Sequence, residues 1–193
     1  MVFHIFDQLF NQMNQKSFPT LYTSRLILRQ FTLDDAVDIM RLAGDREVAM
    51  NTLNMPHPYL PGMAEDWITT LQKDYQESNS LVYAICLKDF TPLIGAIGLT
   101  LHLKIRNAEL GYWIGKDYWN NGYCTEAVKA IIDYAFTDMT IHKIYANFFA
   151  SNPASGRVME KVGMKYEACL KSHLYHWGEY KDIIYYSIFN KQL

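Results

Sequence analysis

A mixed α/β domain built on a mostly antiparallel sheet is the fold class this sequence predicts, and three observations carry that reading. Between residues 81 and 114, short apolar runs succeed one another across turn-rich connections, the pattern of an antiparallel meander. On either side lie stretches whose apolar residues recur at helical spacing. Half of the 193 residues are apolar and 15% are aromatic, which supplies a core and the bulky side chains that strands favour.

Residues 1–20 stand apart from the rest of the chain. Phe3, Phe6, Phe10 and Met13 recur at helical spacing in a polar stretch, an amphipathic helical extension ahead of a single domain over 21–193. It lacks a cationic polar face, so it reads as a lid on the domain or on a partner subunit rather than as a membrane anchor. From residue 25 the period becomes two, and 25–29 is the first strand. Thr32 to Asp35 resembles a capping box, Leu33, Ala36, Val37 and Met40 give the helical face behind it, and Gly44 is a natural stop. A short polar helix comes next, over 45–50. Pro56, Pro58 and Pro61 make 54–62 a loop, since proline fits neither a helix interior nor a central strand. Ala64, Trp67, Ile68, Leu71 and Tyr75 then line one face of a helix.

The meander occupies 81–87, 93–103 and 108–114. Helix 125–138 buries Ala127, Val128, Ile131, Ile132 and Ala135, strand 143–150 comes after it, and helix 155–162 ends at Gly163. Two last strands lie within 164–189, around a turn at Trp177, Gly178 and Glu179. That makes about seven strands flanked by helices.

Composition excludes several functions. Eighteen Lys and Arg against twenty Asp and Glu leave a net charge of −2, without the basic footprint of a duplex-binding protein. Three cysteines without CxxC spacing argue against a disulfide framework or a zinc knuckle. His173 and His176 lie three apart in an expected strand and point to opposite faces, so no metal ligand pair is read there. No secretory signal and no apolar run of about 20 residues is present, and the expected setting is cytoplasmic, with neither a membrane nor a nucleic acid as partner.

Two segments carry the chemistry. In the first, Trp119, Asn120, Asn121, Gly122, Tyr123, Cys124 and Thr125 connect a strand to a helix. Such a junction gathers unpaired backbone N–H groups and the positive end of the helix dipole at one spot, which suits a phosphate. Neither GxxxxGK[ST] nor GxGxxG is present, so an NTPase loop and a dinucleotide fingerprint are both excluded. The plain alternative is a turn. In the second segment, Asn152 and Ser155 sit at the bend before a helix that runs to Gly163; on their own they read equally well as helix caps.

Together these segments resemble the GNAT superfamily of N-acetyltransferases, and within it the RimJ/RimL-like branch that acetylates N-terminal amines of ribosomal proteins. That family carries R/Q-x-x-G-x-G/A at the start of its central helix, and N-x-x-S-x-x-x-x-E-K-x-G-F/M after the next strand. Here Gly122 takes the first glycine position, and Asn152, Ser155, Glu160, Lys161, Gly163 and Met164 match in register. Residues 108–114 and 23–29 resemble the branch's fourth and first strands. Trp119 stands at the R/Q position, as is usual in the branch, and Cys124 stands where Gly or Ala is expected.

The resemblance implies a sheet splayed between its fourth and fifth strands, with acetyl-CoA as co-substrate and no metal. The diphosphate would rest on the amides of Asn120, Asn121, Gly122, Tyr123, Cys124 and Thr125, next to Trp119. Pantetheine would pair with backbone at Trp113 and Ile114, facing Asn152 and Ser155. Arg157 and Lys161 are either partners of the 3′-phosphate or a solvated face. Glu109 is the candidate base, a carboxylate in an otherwise apolar strand. A backbone N–H near Ile114 would hold the oxyanion, and Ser155, ahead of Tyr166, is the candidate acid. A thiol nucleophile at Cys124 is disfavoured, since no histidine is implied beside it.

The implied activity is direct acetyl transfer to a primary amine in a ternary complex, with a protein or peptide N-terminus as acceptor. The competing readings are a small-molecule amine acceptor (amino acid, polyamine or antibiotic), an acyl-CoA-binding module without turnover, and a structural role for the N-terminal helix. The acceptor pocket is expected from the 54–62 loop, the adjacent helices and the 177–180 turn, in a monomer or homodimer.

Overall fold

A computed structural model of the chain describes residues 18–89 and 92–191. Apart from Phe18, Pro19 and Thr20, the expected N-terminal helix lies outside the described residues. Phe18 itself packs on Tyr75 and Tyr83, with ring centroids 4.8 and 4.9 Å away.

The described strands form one sheet of eight: β1 (Leu21–Tyr22), β2 (Leu26–Arg29), β3 (Ser80–Leu87), β4 (Leu93–His102), β5 (Asn107–Ile114), β6 (Lys143–Phe149), β7 (Lys165–His176) and β8 (Glu179–Phe189). Their order is β1-β2-β3-β4-β5-β6-β8-β7, and every neighbouring pair is antiparallel except β5 and β6. The sheet therefore has one strand more than expected. The Thr23 N–H donates to Leu26 O at 3.0 Å, closing a tight turn that folds Leu21 and Tyr22 back onto Leu28 and Ile27.

The helices are α1 (Ala36–Ala43, behind a 3-10 turn over Leu33–Asp35), α2 (Arg46–Ala49), α3 (Met63–Gln76), α4 (Tyr123–Thr137) and α5 (Pro153–Lys161). The capping box holds, since the Thr32 N–H donates to Asp35 Oδ2 at 2.8 Å. Asp35 also receives both guanidinium ends of Arg29 at 2.6 and 2.7 Å, which pins α1 to the edge of β2. Helices α4 and α5 each begin two residues earlier than the sequence predicts. Pro153 opens α5 with a φ already suited to the first helical position.

Two cores hold these layers to the sheet. Leu26, Leu28, Ile85, Ile94 and Leu99 meet Ala127, Val128 and Ile131 of α4 on one face. Phe31, Ala84, Cys86 and Ala96 meet Ile39 of α1 and Ile68 of α3 on the other. Strand β5 feeds both sides by its period of two. Ala108, Leu110 and Ile114 enter the first core, and Trp113 packs on the second. The β7–β8 turn is two residues, Trp177 and Gly178, both at positive φ, the twist a tight hairpin prefers.

Candidate active site

The parallel pair sets the site. Strands β5 and β6 are joined through α4, as a parallel crossover requires, and they pair at three registers: Asn107 with Lys143, Ala108 with Ile144, Glu109 with Tyr145. Beyond Glu109 the two strands part, although β5 continues to Ile114 and β6 to Phe149. The opening they leave is a cleft of about 650 Å³.

Backbone phase decides which groups of β5 face that opening. The Gly115 N–H donates to Ile94 O at 2.9 Å. In an antiparallel ladder alternate residues turn their backbone to the partner strand, so Gly111, Trp113 and Gly115 are engaged with β4. Tyr112 and Ile114 present their backbone to the cleft instead. This corrects the expectation for Trp113, which lines the cleft while its N–H and C=O are committed to the ladder. The Trp119 indole N–H donates to Ile114 O at 2.7 Å. The Ile114 N–H and both backbone groups of Tyr112 lie outside the β4 ladder and face the cleft.

One end of the cleft is the 119–125 segment. Gly122 caps α4 at φ 77°, a left-handed conformation that strains any side chain. The first bond of the helix runs from the Glu126 N–H to Gly122 O at 3.1 Å. The N–H groups of Tyr123, Cys124 and Thr125 precede it and have no acceptor within the helix. Trp119, Asn120, Gly122, Tyr123, Cys124 and Thr125 all line the cleft. Asn121 does not: its side chain donates to Trp119 O at 2.9 Å and so shapes the loop. Burial pushes the Cys124 thiol up to about 12, the opposite of an activated nucleophile.

The walls carry the other candidates. Asn152 sits at the N-cap of α5 without a side-chain capping bond, and with Ser155 it lines the cleft. The Tyr112 hydroxyl donates to Ser155 O at 3.1 Å and lies 2.8 Å from Ser155 Oγ, a contact in which either oxygen can donate. Burial raises the Tyr112 phenol, so it keeps its proton near neutral pH and remains a donor. Opposite, Glu109 is half-buried and accepts from the Asn147 amide at 2.8 Å and the Tyr145 hydroxyl at 3.4 Å. Tyr166 is exposed and does not line the cleft, which removes it as an acid.

Val48, Asn51, Thr52, Leu53 and Asn54 also line the cleft, so α2 and the residues after it contribute more to it than does the proline loop from which an acceptor pocket is expected. Trp177 of the hairpin turn braces this region from behind, its ring 5.4 Å from His57 and beneath the Arg46 guanidinium at 5.3 Å. Arg157 and Lys161 line the cleft on α5. Among the described residues no group of three or more His, Cys, Asp or Glu could hold a metal, and no helix is long and apolar enough to cross a membrane.

A family model described as an acetyltransferase (GNAT) domain matches residues 25–165. The chain belongs to this family. The GNAT domain is 35% identical over 172 residues to the uncharacterized N-acetyltransferase YoaA of Bacillus subtilis, an alignment covering 89% of this chain and 97% of that protein. Two solved structures share its fold. Ribosomal-protein-S5-alanine acetyltransferase from Vibrio fischeri has a TM-score of 0.80 at 21% identity, covering 90% of this chain and 97% of its own. Spermidine N-acetyltransferase from Vibrio cholerae, in complex with CoA and spermine, has a TM-score of 0.73 at 23% identity, covering 87% and 97%. The chain is thus an N-acetyltransferase acting on amine substrates.

Within this GNAT domain, sequence reasoning missed Tyr112, Tyr145 and Asn147, which hold Ser155 and Glu109. Strand alternation places Glu109 and Asn147 towards the gap, and only the register of the parallel pair brings them together. It also missed Glu126. Burial works to raise that carboxyl, but hydrogen bonds from Thr23, the Arg25 N–H, Ser24 and the Arg25 side chain prevail and hold it at about 2.

Proposed function

We propose that this domain moves the acetyl group of acetyl-CoA to a primary amine by direct attack in a ternary complex, and that the acceptor is the α-amine of a peptide or protein. The observation that carries the reading is a single cleft with free helix-start amides at one end and the Glu109 carboxylate at the other. The amides of Tyr123, Cys124 and Thr125 suit the diphosphate. The Tyr112 C=O and the Ile114 N–H suit the pantetheine amides, as an added strand would.

In this reading the neutral amine attacks the thioester carbon and Glu109 accepts its proton as the C–N bond forms. The oxyanion rests on the Tyr112 N–H, the cleft-facing amide of β5 nearer Glu109. The C–S bond then breaks, and Ser155, oriented by Tyr112, meets the departing thiolate as donor, its proton being restored from solvent. The acceptor class is argued from basicity. An α-amine has a pKa near 8 and a lysine side chain near 10.4, so a neutral lysine costs about 3 kcal/mol more, and one carboxylate suits the easier task. The two structural neighbours are named for an alanine of ribosomal protein S5 and for spermidine, so a protein acceptor and a polyamine acceptor both occur on this fold.

The test is calorimetric titration with acetyl-CoA, followed by thiol release in the presence of N-terminal peptides, free amino acids and polyamines. Release enhanced most by peptides supports the reading, and enhancement by polyamines alone would move the acceptor to small molecules. Uptake of acetyl-CoA with no amine raising release above hydrolysis would make the domain a binding module.

A further inference from the structure

One side chain joins the first long strand to the loop before α4, across about a hundred residues of sequence. Arg25, just ahead of β2, donates its backbone N–H to Glu126 Oε1 at 2.9 Å and its Nε to Oε2 at 2.7 Å. Its Nη2 lies 2.7 Å from the same Oε2. Nη1 donates to the Asn121 carbonyl at 3.0 Å, and the guanidinium lies over the Tyr123 ring at 4.7 Å. A Cβ on Gly122 would stand 3.5 Å from Nη2. Arg25 therefore adjoins the residues on both sides of Gly122, and Gly122 itself.

The charges explain why such a contact matters. Glu126 lies in the first turn of α4, next to the N–H groups of Tyr123, Cys124 and Thr125. A carboxylate there favours the helix dipole but opposes a second anion at the same place. The guanidinium cancels that charge while tethering the Asn121 carbonyl, so the free amides keep their aim. At the position where the family motif carries Arg or Gln, Trp119 spends its only side-chain donor on Ile114 O. The cation arrives from the β2 side of the sheet instead.

We propose that Arg25 is a positioning residue for the acetyl-CoA diphosphate, acting by neutralising Glu126 and holding the 121–123 loop. This rests on the reading that the loop receives the diphosphate.

The test is calorimetric titration of the full chain with CoA, together with steady-state kinetics. R25Q is expected to weaken CoA binding about tenfold or more, and to raise the KM for acetyl-CoA with kcat within about twofold. E126Q removes the opposing carboxylate and is expected to stay within about threefold of wild type. The double variant R25Q/E126Q is expected to regain several-fold over R25Q, a recovery that a general loss of packing would not produce. R25K keeps the charge but not the fork, and is expected to fall between wild type and R25Q; it serves as the probe if R25Q does not fold. CoA affinity within twofold of wild type in R25Q, or in R25K where R25Q does not fold, overturns the proposal, as does a double variant no tighter than R25Q. A wild type that takes up no CoA overturns the functional reading instead.

Discussion

Glu109 and Tyr145 form the last rung between β5 and β6, and the Tyr145 hydroxyl donates to the Glu109 carboxylate at 3.4 Å across it. The carboxylate thus stands where the sheet stops being a sheet and the cleft begins. Its partners, Tyr145 and Asn147, come from the one strand that runs parallel to its own.

Replacing Glu109 by Gln keeps the shape and removes the proton acceptor. Turnover is expected to fall by about 10²- to 10⁴-fold while acetyl-CoA affinity stays within about twofold. Residual activity should then climb with pH as the amine deprotonates unaided. Comparing kcat/KM profiles of wild type and variant between pH 6 and 10 checks this; coincident profiles would remove Glu109 from the mechanism.

Ser155 and Tyr112 are expected to act as one unit. Coenzyme thiol is a good leaving group, so Ser155→Ala should cost about tenfold or less in kcat, and Tyr112→Phe no more. The double variant should be no slower than Ser155→Ala, because the Tyr112 hydroxyl works through the serine. Additive losses in steady-state kinetics would separate the two roles.

Acid stability should report on Glu126. Its folded carboxyl is held at about 2, below the 4.5 of the unconstrained group. The unfolded chain therefore takes up the proton first, so the stabilisation is complete above about 4.5 and drains away as pH falls towards 2. Arg25 is half-exposed, so the amount is on the order of 1–2 kcal/mol rather than the full value of the shift. Melting curves of wild type and Glu126→Gln should diverge near neutral pH, with wild type higher, and converge by about pH 2.

Gly95 lets β4 approach the cleft strand. A Cβ there would lie 2.3 Å from Trp113 O and 3.0 Å from Ile114 Cα, both backbone atoms that cannot swing aside. Gly95→Ala is expected to destabilise the fold by about 2–3 kcal/mol or more in denaturant titration. It should also weaken CoA binding, because β5 would have to shift.

Much of this architecture is legible in the residues. Period-two runs and proline-rich punctuation locate the meander and the 54–62 loop, and Gly122 and Gly163 mark where helices start and stop. The motif residues on the 119–125 loop and on α5 meet at one cleft, apart from Asn121 and Glu160. What escapes is relational. Whether Trp113 or Tyr112 turns its backbone to the opening depends on a one-residue phase that Gly115 and Ile94 decide. The Arg25–Glu126 contact and the Tyr112–Ser155 pair are each made across more than forty residues, and no local pattern announces them. The strand added by Leu21 and Tyr22 is too short to show a period at all.

A sheet that comes unzipped halfway along two of its members leaves main-chain polar groups uncommitted in the middle of the molecule, where proteins seldom tolerate them. A ligand seated there completes the ladder, so occupancy and folding are thermodynamically linked. Loading should therefore slow deuterium uptake most at the amides of Tyr112 and Ile114, and raise the midpoint of thermal unfolding as ligand concentration grows.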